Sequence, residues 1–202
     1  MGQEIEKKFL VDGDGWRGQG ASTRISQGFF HTWRGHTVRV RCFGDKGYVT
    51  FKTRRAFSRK EFEYQVPLDE AIEMLHTMCD QPLVEKTRHE AKIGQYDWTI
   101  DEFHGVNTGL ILAEVELKSA DEQPTLPHWI GRDVTGVPSY YNDYLASNPF
   151  ITWCRDGSCN GTCGMVHPPG GEQRGNNEEA PPTDLAQALA LMKALHKPST
   201  DS

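Results

Sequence analysis

The sequence predicts a mainly β protein of the α+β type: an eight-stranded antiparallel closed barrel with flanking helices, a C-terminal linker and an amphipathic helix. Three observations lead to this prediction. Charged and apolar residues alternate with a period of two in segment after segment, turn-forming residues separate these segments, and their connections are short. Short connections join antiparallel neighbours, and eight strands are about the number that closes a small barrel. An open sheet with one solvated face is the alternative, because it produces the same alternation.

Each predicted strand is a short run bounded by turn residues such as Gly13-Asp14-Gly15. The runs cover residues 3–11, 23–32, 36–43, 47–54, 59–66, 84–92, 95–103 and 110–118. Pro67 begins the first helix, PLDEAIEMLHTMCD, whose apolar residues recur at helical spacing. A shorter helix, SYYNDYLASN, ends before Pro149, and no element is predicted between Lys118 and Pro138.

Composition divides the chain into three parts. Residues 1–150 form the barrel domain, residues 151–182 form a flexible linker rich in Cys, Gly and Pro, and residues 183–198 form a helix. This helix is amphipathic, with an apolar stripe made of Leu185, Leu189, Met192 and Leu195. The stripe is expected to dock on its own domain or on a second copy of the chain, so a homodimer is one expected arrangement.

The start of the linker carries a group of potential zinc ligands, Cys154, Cys159, Cys163 and His167. These residue types could hold a structural zinc ion, but their spacing matches no standard pattern. A flexible tail that happens to carry thiols is the simpler interpretation.

The overall composition excludes several classes of protein. A chain of 202 residues with 37% hydrophobic and 25% charged residues is typical of a globular protein with a sizeable core. No apolar run approaches membrane-spanning length, and the net charge of −6 gives no reason to expect nucleic acid or a membrane as a partner. The polar first residues do not resemble a signal peptide, which predicts a cytoplasmic protein. Five cysteines, an odd number, argue against a disulfide framework.

Ionic side chains occupy one face of almost every predicted strand. Glu4, Glu6 and Lys8 share a face because successive strand residues point to opposite sides. The same parity selects a larger charged set: Arg39, Arg41, Lys52, Arg54, Glu61, Glu63, Lys86, Arg88, Asp101, Glu114, Glu116 and Lys118. Apolar residues occupy the opposite face, where the two helices can cover them. If the sheet closes with its ionic face inward, acidic and basic groups line a common cavity.

Such a cavity suits one kind of ligand. Clustered Lys and Arg side chains bind phosphate oxygens, and Arg offers a bidentate fork. Clustered carboxylates do not all stay ionised without a cation, and hard divalent ions such as Mg²⁺ and Mn²⁺ take oxygen ligands. Together these groups predict a polyphosphate that is bound through metal ions.

The motif EIEKK, Glu4 to Lys8, resembles the hallmark of the CYTH, or triphosphate tunnel metalloenzyme, superfamily. Further segments follow in family order: SQGFF, VRVR, YVTFK, KEFEYQV, VEKTRH, WTIDEF and LILAEVEL. The resemblance covers roughly residues 1–150 and implies an eight-stranded tunnel. By position it implies metal ligands at Glu4, Glu6, Asp101, Glu114 and Glu116, and triphosphate-binding residues at Lys8, Arg39, Arg41, Lys52 and Arg88. Inward parity adds Lys86, Glu61 and Glu63 as catalytic residues in a supporting or water-orienting role.

The resemblance implies a triphosphatase that depends on Mg²⁺ or Mn²⁺ and hydrolyses inorganic tripolyphosphate or a small organic triphosphate. Two alternatives stay open: a class IV-type adenylate cyclase, which converts ATP to cyclic AMP and pyrophosphate, and a non-catalytic polyphosphate-binding module. Because the sequence shows no base-reading element, hydrolysis is favoured. Phe29 departs from the family pattern, in which small bacterial members often carry a tyrosine with a proposed role in proton transfer. Phenylalanine has no hydroxyl group to take that role.

Overall fold

The computed structural model describes residues 5–31, 36–53, 61–119 and 121–153. These residues form one antiparallel sheet in the order β5-β4-β3-β2-β6-β7-β8-β1-β9. Its strands are β1 (Ile5–Val11), β2 (Ser22–His31), β3 (Thr37–Phe43), β4 (Lys46–Lys52), β5 (Glu61–Val66), β6 (Val84–Ile93), β7 (Tyr96–Phe103), β8 (Ile111–Leu117) and β9 (Ile130–Asp133). The helices are α1 (Leu68–Thr77) and α2 (Asn142–Ser147), with 3₁₀ turns at Gly105–Asn107, Pro138–Tyr140 and Phe150–Thr152. In this described part, no helix has the length and apolar character needed to cross a membrane.

The mainly β, antiparallel fold with few helices is confirmed, and the eight predicted strands all occur. Their registers keep the charged residues of neighbouring strands on one face. In the β1–β8 pair, for example, Glu6 lies opposite Glu116 and Lys8 lies opposite Glu114. The β3–β4 turn uses Gly44 at a φ of 56°, a backbone conformation that favours glycine.

The sheet is not closed by hydrogen bonds within the described residues, which corrects the predicted closed barrel. Closure would require β5, at one end of the sheet, to pair with β1. The free edge of β1 instead pairs with β9, where Phe9 lies opposite Asp133 and Val11 opposite Ile130. The strand β9 was not predicted, because four residues, IGRD, are too few to show a periodic pattern.

Helix α1 covers part of the outer, apolar face of the sheet, over β3 and β4. Its Ala71, Ile72 and Leu75 are buried in one cluster with Val40 and other β3 and β4 residues. The helix approaches most closely at Gly47, where an added Cβ atom would lie 2.6 Å from the Cβ of Ala71. Glycine at this position therefore lets the helix lie directly on β4.

Two loops, rather than a second helix, cover the outer face of β1, β7 and β8. Trp16 and Trp129 lie in these loops and are buried with Phe9, Trp98 and Val115. The rings of Trp98 and Trp129 meet edge to face with centroids 6.0 Å apart. Aromatic side chains carried by loops thus take the place of the expected helical cover.

Helix α2 lies on the cavity side of the sheet instead of its outer face. Leu145 of α2 and Tyr140 of the preceding turn are buried in a cluster with Phe29, Val84 and Leu112. These strand residues share the inward parity of the charged set. The cluster therefore closes one end of the space that the curved sheet surrounds.

Packed structure continues to Trp153. The Trp153 ring lies 5.4 Å from the Tyr140 ring and 5.1 Å from the Phe150 ring, between centroids. The backbone N–H of Phe150 donates a hydrogen bond to Asn107 Oδ1 at 2.8 Å. The domain boundary predicted at residue 150 therefore falls inside these contacts. The remainder of the predicted linker, the helix at residues 183–198 and the potential zinc ligands from Cys154 to His167 lie outside the described residues.

We expect a chain that ends at Trp153 to unfold at a higher temperature than a chain that ends at Pro149. The shorter chain loses the partly buried rings of Phe150 and Trp153, at a cost of about 1–3 kcal/mol. Thermal unfolding followed by circular dichroism compares the two chains. Equal unfolding temperatures would contradict the stabilising role of residues 150–153.

Candidate active site

The curved sheet surrounds a cavity of about 1350 Å³ on its ionic face. Residues from β1 to β8 all contribute to its lining, as the period-two alternation predicts. The predicted site residues among them are Glu6, Lys8, Arg39, Arg41, Lys52, Glu61, Glu63, Lys86, Arg88, Glu114 and Glu116. Asp101 lies just beneath this lining, in contact with Lys86 and Arg88. Glu4 lies outside the described residues.

Arg39 and Arg41 of β3 form a basic wall together with a carboxylate of β5. Glu63 accepts a hydrogen bond from Arg39 Nη2 at 3.0 Å and another from Arg41 Nη2 at 3.2 Å. The Thr50 hydroxyl donates to the same carboxylate at 2.8 Å. Burial by itself would raise the pKa of Glu63, but the Thr50 hydrogen bond and the charges of Arg41 and Arg39 lower this pKa below its ordinary value.

The two arginines keep donors that Glu63 does not use. The Nε atoms of Arg39 and Arg41 are buried and have no hydrogen-bond partner within the described residues. Burial and the nearby charge of Arg39 also lower the pKa of Arg41. An anion in the cavity would therefore find a desolvated pair of guanidinium groups beside it.

A second cation–carboxylate pair lies on the neighbouring strands. Lys52 of β4 and Glu61 of β5 are direct cross-strand partners, and Lys52 Nζ lies 2.7 Å from Glu61 Oε1. Both predicted catalytic carboxylates of β5, Glu61 and Glu63, thus contact predicted phosphate-binding cations. Their predicted water-orienting role stays a prediction.

The centre of the cavity floor is an ionic network that joins β6 to β7. Lys86 Nζ donates to Asp101 Oδ2 at 2.6 Å, and Arg88 donates from Nε to Oδ1 at 2.8 Å and from Nη2 to Oδ2 at 2.7 Å. Burial by itself would raise the pKa of Asp101, but the charge of Lys86 and the Arg88 hydrogen bonds hold this pKa well below its ordinary value. Burial also lowers the pKa of Lys86, and the Asp101 charge offsets that effect only in part.

The opposite wall, built from β1 and β8, is mainly acidic. Glu6 and Glu116 are direct cross-strand partners, and both line the cavity. Lys8 Nζ lies 2.8 Å from Glu114 Oε1, and Arg88 Nη2 lies 3.5 Å from Glu114 Oε2. Facing carboxylates at one cross-strand position repel each other unless a cation lies near them. This wall is therefore the part of the cavity best suited to a divalent cation.

The predicted metal ligands do not form a complete protein site by themselves. Among the residues that the structure describes, no group of three or more His, Cys, Asp or Glu side chains is arranged to hold a metal ion. Both carboxylate oxygens of Asp101 are already bonded to Lys86 and Arg88. Among the predicted metal ligands that the structure describes, Glu6, Glu114 and Glu116 line the cavity directly, and the Glu114 oxygens also contact Lys8 and Arg88.

Two neutral polar residues, Asn142 and Gln27, also contribute to the site. Asn142, at the start of α2, accepts a hydrogen bond from Lys86 Nζ at 3.2 Å. Gln27 of β2 lies opposite Arg41 on the cavity side, is 2% exposed, and its Nε2 has no partner within the described residues. The period-two alternation of β2 places Gln27 on the cavity face, but a neutral side chain does not stand out in a pattern defined by charged residues.

Phe29, the residue that departs from the family pattern, packs among apolar side chains. Phe29 lies opposite Arg39 in the β2–β3 pair and borders the cavity. It is 5% exposed and packs in the cluster with Tyr140 and Leu145. The ring therefore helps to close the end of the cavity at α2.

Comparison with known proteins gives concordant results. Residues 2–141 match the CYTH domain. The chain is 44% identical over 151 residues to an inorganic triphosphatase of Acetivibrio thermocellus, covering 74% of this chain and 97% of the relative. It is 34% identical over 148 residues to an inorganic triphosphatase of Nitrosomonas europaea, covering 71% of this chain and 96% of the relative. The crystal structure of the inorganic triphosphatase NE1496 is similar with a TM-score of 0.59 and 32% identity, covering 72% of this chain and 95% of that one.

We expect Asp101→Asn to lower the free energy of unfolding by about 3–5 kcal/mol at pH 7, because it leaves Lys86 and Arg88 buried without their shared counterion. Since the pKa of Asp101 is lower in the folded chain than in the unfolded one, its stabilisation is present above about pH 4. It is lost as the pH falls from there towards the folded-state pKa, so the difference between the two proteins should narrow in acid.

Asp97→Asn is the matched control for this prediction. Asp97 lies on the same strand, its side chain is 82% exposed, and it lies 3.7 Å from Lys92. Such a surface pair contributes little to stability. Urea unfolding of the three proteins at pH 7 and at pH 3 gives the comparison. Equal losses for the two variants at pH 7 would contradict a special role of Asp101.

Proposed function

This chain belongs to the CYTH domain family, and from that premise we propose that it is a metal-dependent triphosphatase that hydrolyses inorganic triphosphate in the cavity of the curved sheet. The observation that carries the proposal is the convergence of two kinds of charge on one cavity. Cations of β3, β4 and β6 meet carboxylates of β1 and β8 across a space of about 1350 Å³. A polyphosphate bound through divalent cations uses both sets at once.

The balance of charge in the cavity supports a substrate that arrives with metal ions. The described site cations are Lys8, Arg39, Arg41, Lys52, Lys86 and Arg88, and the described site carboxylates are Glu6, Glu61, Glu63, Asp101, Glu114 and Glu116. The lining also contains Glu90, Lys92, Asp97 and Asp143, so carboxylates outnumber cations among the described residues and leave no net positive charge for a bare polyanion. A triphosphate therefore needs further cations in the cavity, which divalent metal ions provide.

Mg²⁺ or Mn²⁺ fits the acidic wall. Glu6, Glu114 and Glu116 would hold the ion, with Glu4 as a further ligand that the motif predicts. Mg²⁺ commonly takes one or two carboxylates together with substrate phosphates rather than a complete protein site. This coordination preference agrees with the finding that the described residues contain no group of three or more side chains arranged to hold a metal ion. When bound, the ion would neutralise phosphate oxygens and act as a Lewis acid.

Arg39, Arg41, Lys52 and Lys8 would hold the phosphate chain by charge-assisted hydrogen bonds. In the structure, Arg39 and Arg41 bond to Glu63, and Lys52 bonds to Glu61. A phosphate oxygen that approaches these cations would compete with the two carboxylates. Glu61 and Glu63 thus keep the cations oriented and desolvated before substrate binds.

In the proposed reaction, a water oxygen attacks the terminal phosphorus. The bond from that phosphorus to its bridging oxygen breaks, the leaving pyrophosphate takes the electron pair, and the proton that the water loses passes to the phosphate products or to solvent. A carboxylate with a lowered pKa is a weak base, so Glu63 would orient the attacking water rather than remove its proton. Lys86 and Arg88, fixed by Asp101, would face the negative charge that spreads over the transferred phosphoryl group. We assign Asp101 to positioning these cations, because both its oxygens are already bonded to them.

Incubation with tripolyphosphate, ATP and thiamine triphosphate, each with Mg²⁺ or Mn²⁺, tests the function. We expect rapid release of orthophosphate from tripolyphosphate and slower release from the two organic triphosphates. Cyclic AMP with pyrophosphate from ATP would instead show a cyclase. Tight binding without any product would show a polyphosphate-binding module.

Glu116→Gln should lower turnover of tripolyphosphate by at least about 100-fold, because removing even a residue that only orients a metal ligand costs roughly 10–100-fold. The fold should persist, since Glu116 is exposed to the cavity. Glu73→Gln, on the exposed side of α1, is the matched control and should leave turnover unchanged. Wild-type turnover of the Glu116 variant across a titration of Mg²⁺ would remove this residue from the metal site.

Arg41→Lys should weaken substrate binding by about 1–3 kcal/mol, because lysine keeps the charge but loses the guanidinium fork. We expect a raised KM for tripolyphosphate. Arg17→Lys offers a control outside the cavity, because Arg17 forms a bidentate pair with Glu102 on the other side of the sheet. If Arg41→Lys left both KM and kcat unchanged, Arg41 would not contact phosphate.

A further inference from the structure

The outer face of β4 and β5 carries an aromatic patch, formed by Phe51, Phe62 and Tyr64. Phe51 lies opposite Phe62, and Tyr64 lies on the same face one pair further along. The Phe51 and Tyr64 rings meet edge to face with centroids 6.2 Å apart. The three residues are 47%, 49% and 57% exposed. The sequence analysis expected helices to cover this face, and the described helices do not.

The position of α1 explains why the aromatic patch is left open. Helix α1 rests on Gly47 and buries Val49 to 8% exposure, but its contacts lie on β3 and β4. The aromatic patch continues the same sheet face beyond Val49 and onto β5, the last strand of the sheet. Aromatic side chains bury 150–250 Å² each, so the half-exposed rings leave roughly 300 Å² of apolar surface. A patch of this size on a monomer is commonly a binding site.

We propose that the aromatic patch is the docking site of this chain's own C-terminal helix, residues 183–198. The sequence predicts that helix to be amphipathic, with an apolar stripe of Leu185, Leu189, Met192 and Leu195. An isolated helix of this length is marginal in water and needs an apolar surface to pack on. Placed on the aromatic patch, it would extend the outer helical layer that α1 begins.

The length of the intervening chain permits this contact. Residues 154–182 separate the last described residue, Trp153, from the start of the predicted helix. A flexible chain of this length has an end-to-end distance of roughly 30 Å. A domain of about 150 residues has a radius of gyration of about 15 Å. The helix can therefore reach any side of its own domain, and the tether favours that domain over a second copy.

The match to the relative from Acetivibrio thermocellus covers 97% of that relative but 74% of this chain, so about a quarter of this chain lies outside the match. The CYTH domain match ends at residue 141, so the proposed docking helix lies outside that domain. The proposal is independent of the triphosphatase activity, because the aromatic patch faces away from the cavity.

Hydroxyl-radical footprinting of the full chain tests the docking, because it measures how far individual aromatic rings are exposed to solvent. We expect weak labelling of Phe62 and Tyr64 in the wild type. Leu189→Asp places a charge in the apolar stripe and should raise that labelling severalfold. Gln187→Asp adds the same charge to the polar side of the same helix and should leave the labelling as in the wild type. Tyr144, which is 40% exposed on α2, provides an internal reference that should not change.

A dilution series with mass measurement by light scattering completes the test. Protection of Phe62 and Tyr64 that persists on dilution, in a chain of monomer mass, supports docking within one chain. Equal labelling in the three proteins would overturn the proposal. Protection that disappears on dilution together with a dimer mass would also overturn it, since it would assign the aromatic patch to a contact between copies.

Discussion

The three-way contact of Asp101 with Lys86 and Arg88 is the interaction on which the rest of the cavity depends. A buried charge without a partner strongly lowers the free energy of unfolding, so buried charges in proteins are paired. Asp101 satisfies two cations at once in the middle of the sheet, where β6 meets β7. With Lys86 and Arg88 paired in this way, and Arg88 also 3.5 Å from Glu114 Oε2, the strands can present further ionic groups to an enclosed space. Without such pairing, a sheet with one ionic face would stay open to solvent.

The two sides of the cavity differ in charge, because basic and acidic residues lie on different strands of the sheet. Basic side chains line β3 and β4, where the Nε atoms of Arg39 and Arg41 have no partner within the described residues, while β1 and β8 carry the facing carboxylates Glu6 and Glu116. Curvature brings these distant parts of the sheet to opposite sides of one space. In the proposed reaction, a linear triphosphate with phosphates near Arg39 and Arg41 would offer its other oxygens to cations held on the acidic wall.

Much of this arrangement could be predicted because strands have a period of two. The parity of Arg39, Arg41, Glu114 and Glu116 follows from sequence alone, since a shift by one residue would bury charges and expose the core. The partner of each charge could not be predicted, because cross-strand partners depend on register. Asp101 has the parity of a metal ligand, yet its oxygens are bonded to Lys86 and Arg88. The strand β9 could not be predicted, because four residues are too few to show a periodic pattern. The contact of Asn142 with Lys86 could not be predicted either, because it depends on where α2 packs.

In the described sheet, β5 is an edge strand, and its carboxylates Glu61 and Glu63 affect how that edge meets other chains. An edge strand presents unpaired backbone groups to which another chain can add a strand, and inward-pointing charges oppose that addition. Two β5 strands brought to a spacing of about 4.8 Å would place four carboxylates of Glu61 and Glu63 close together. Glu61 and Glu63 thus also oppose edge-to-edge aggregation of the protein. A neutral replacement of either residue would remove part of this repulsion from the edge strand.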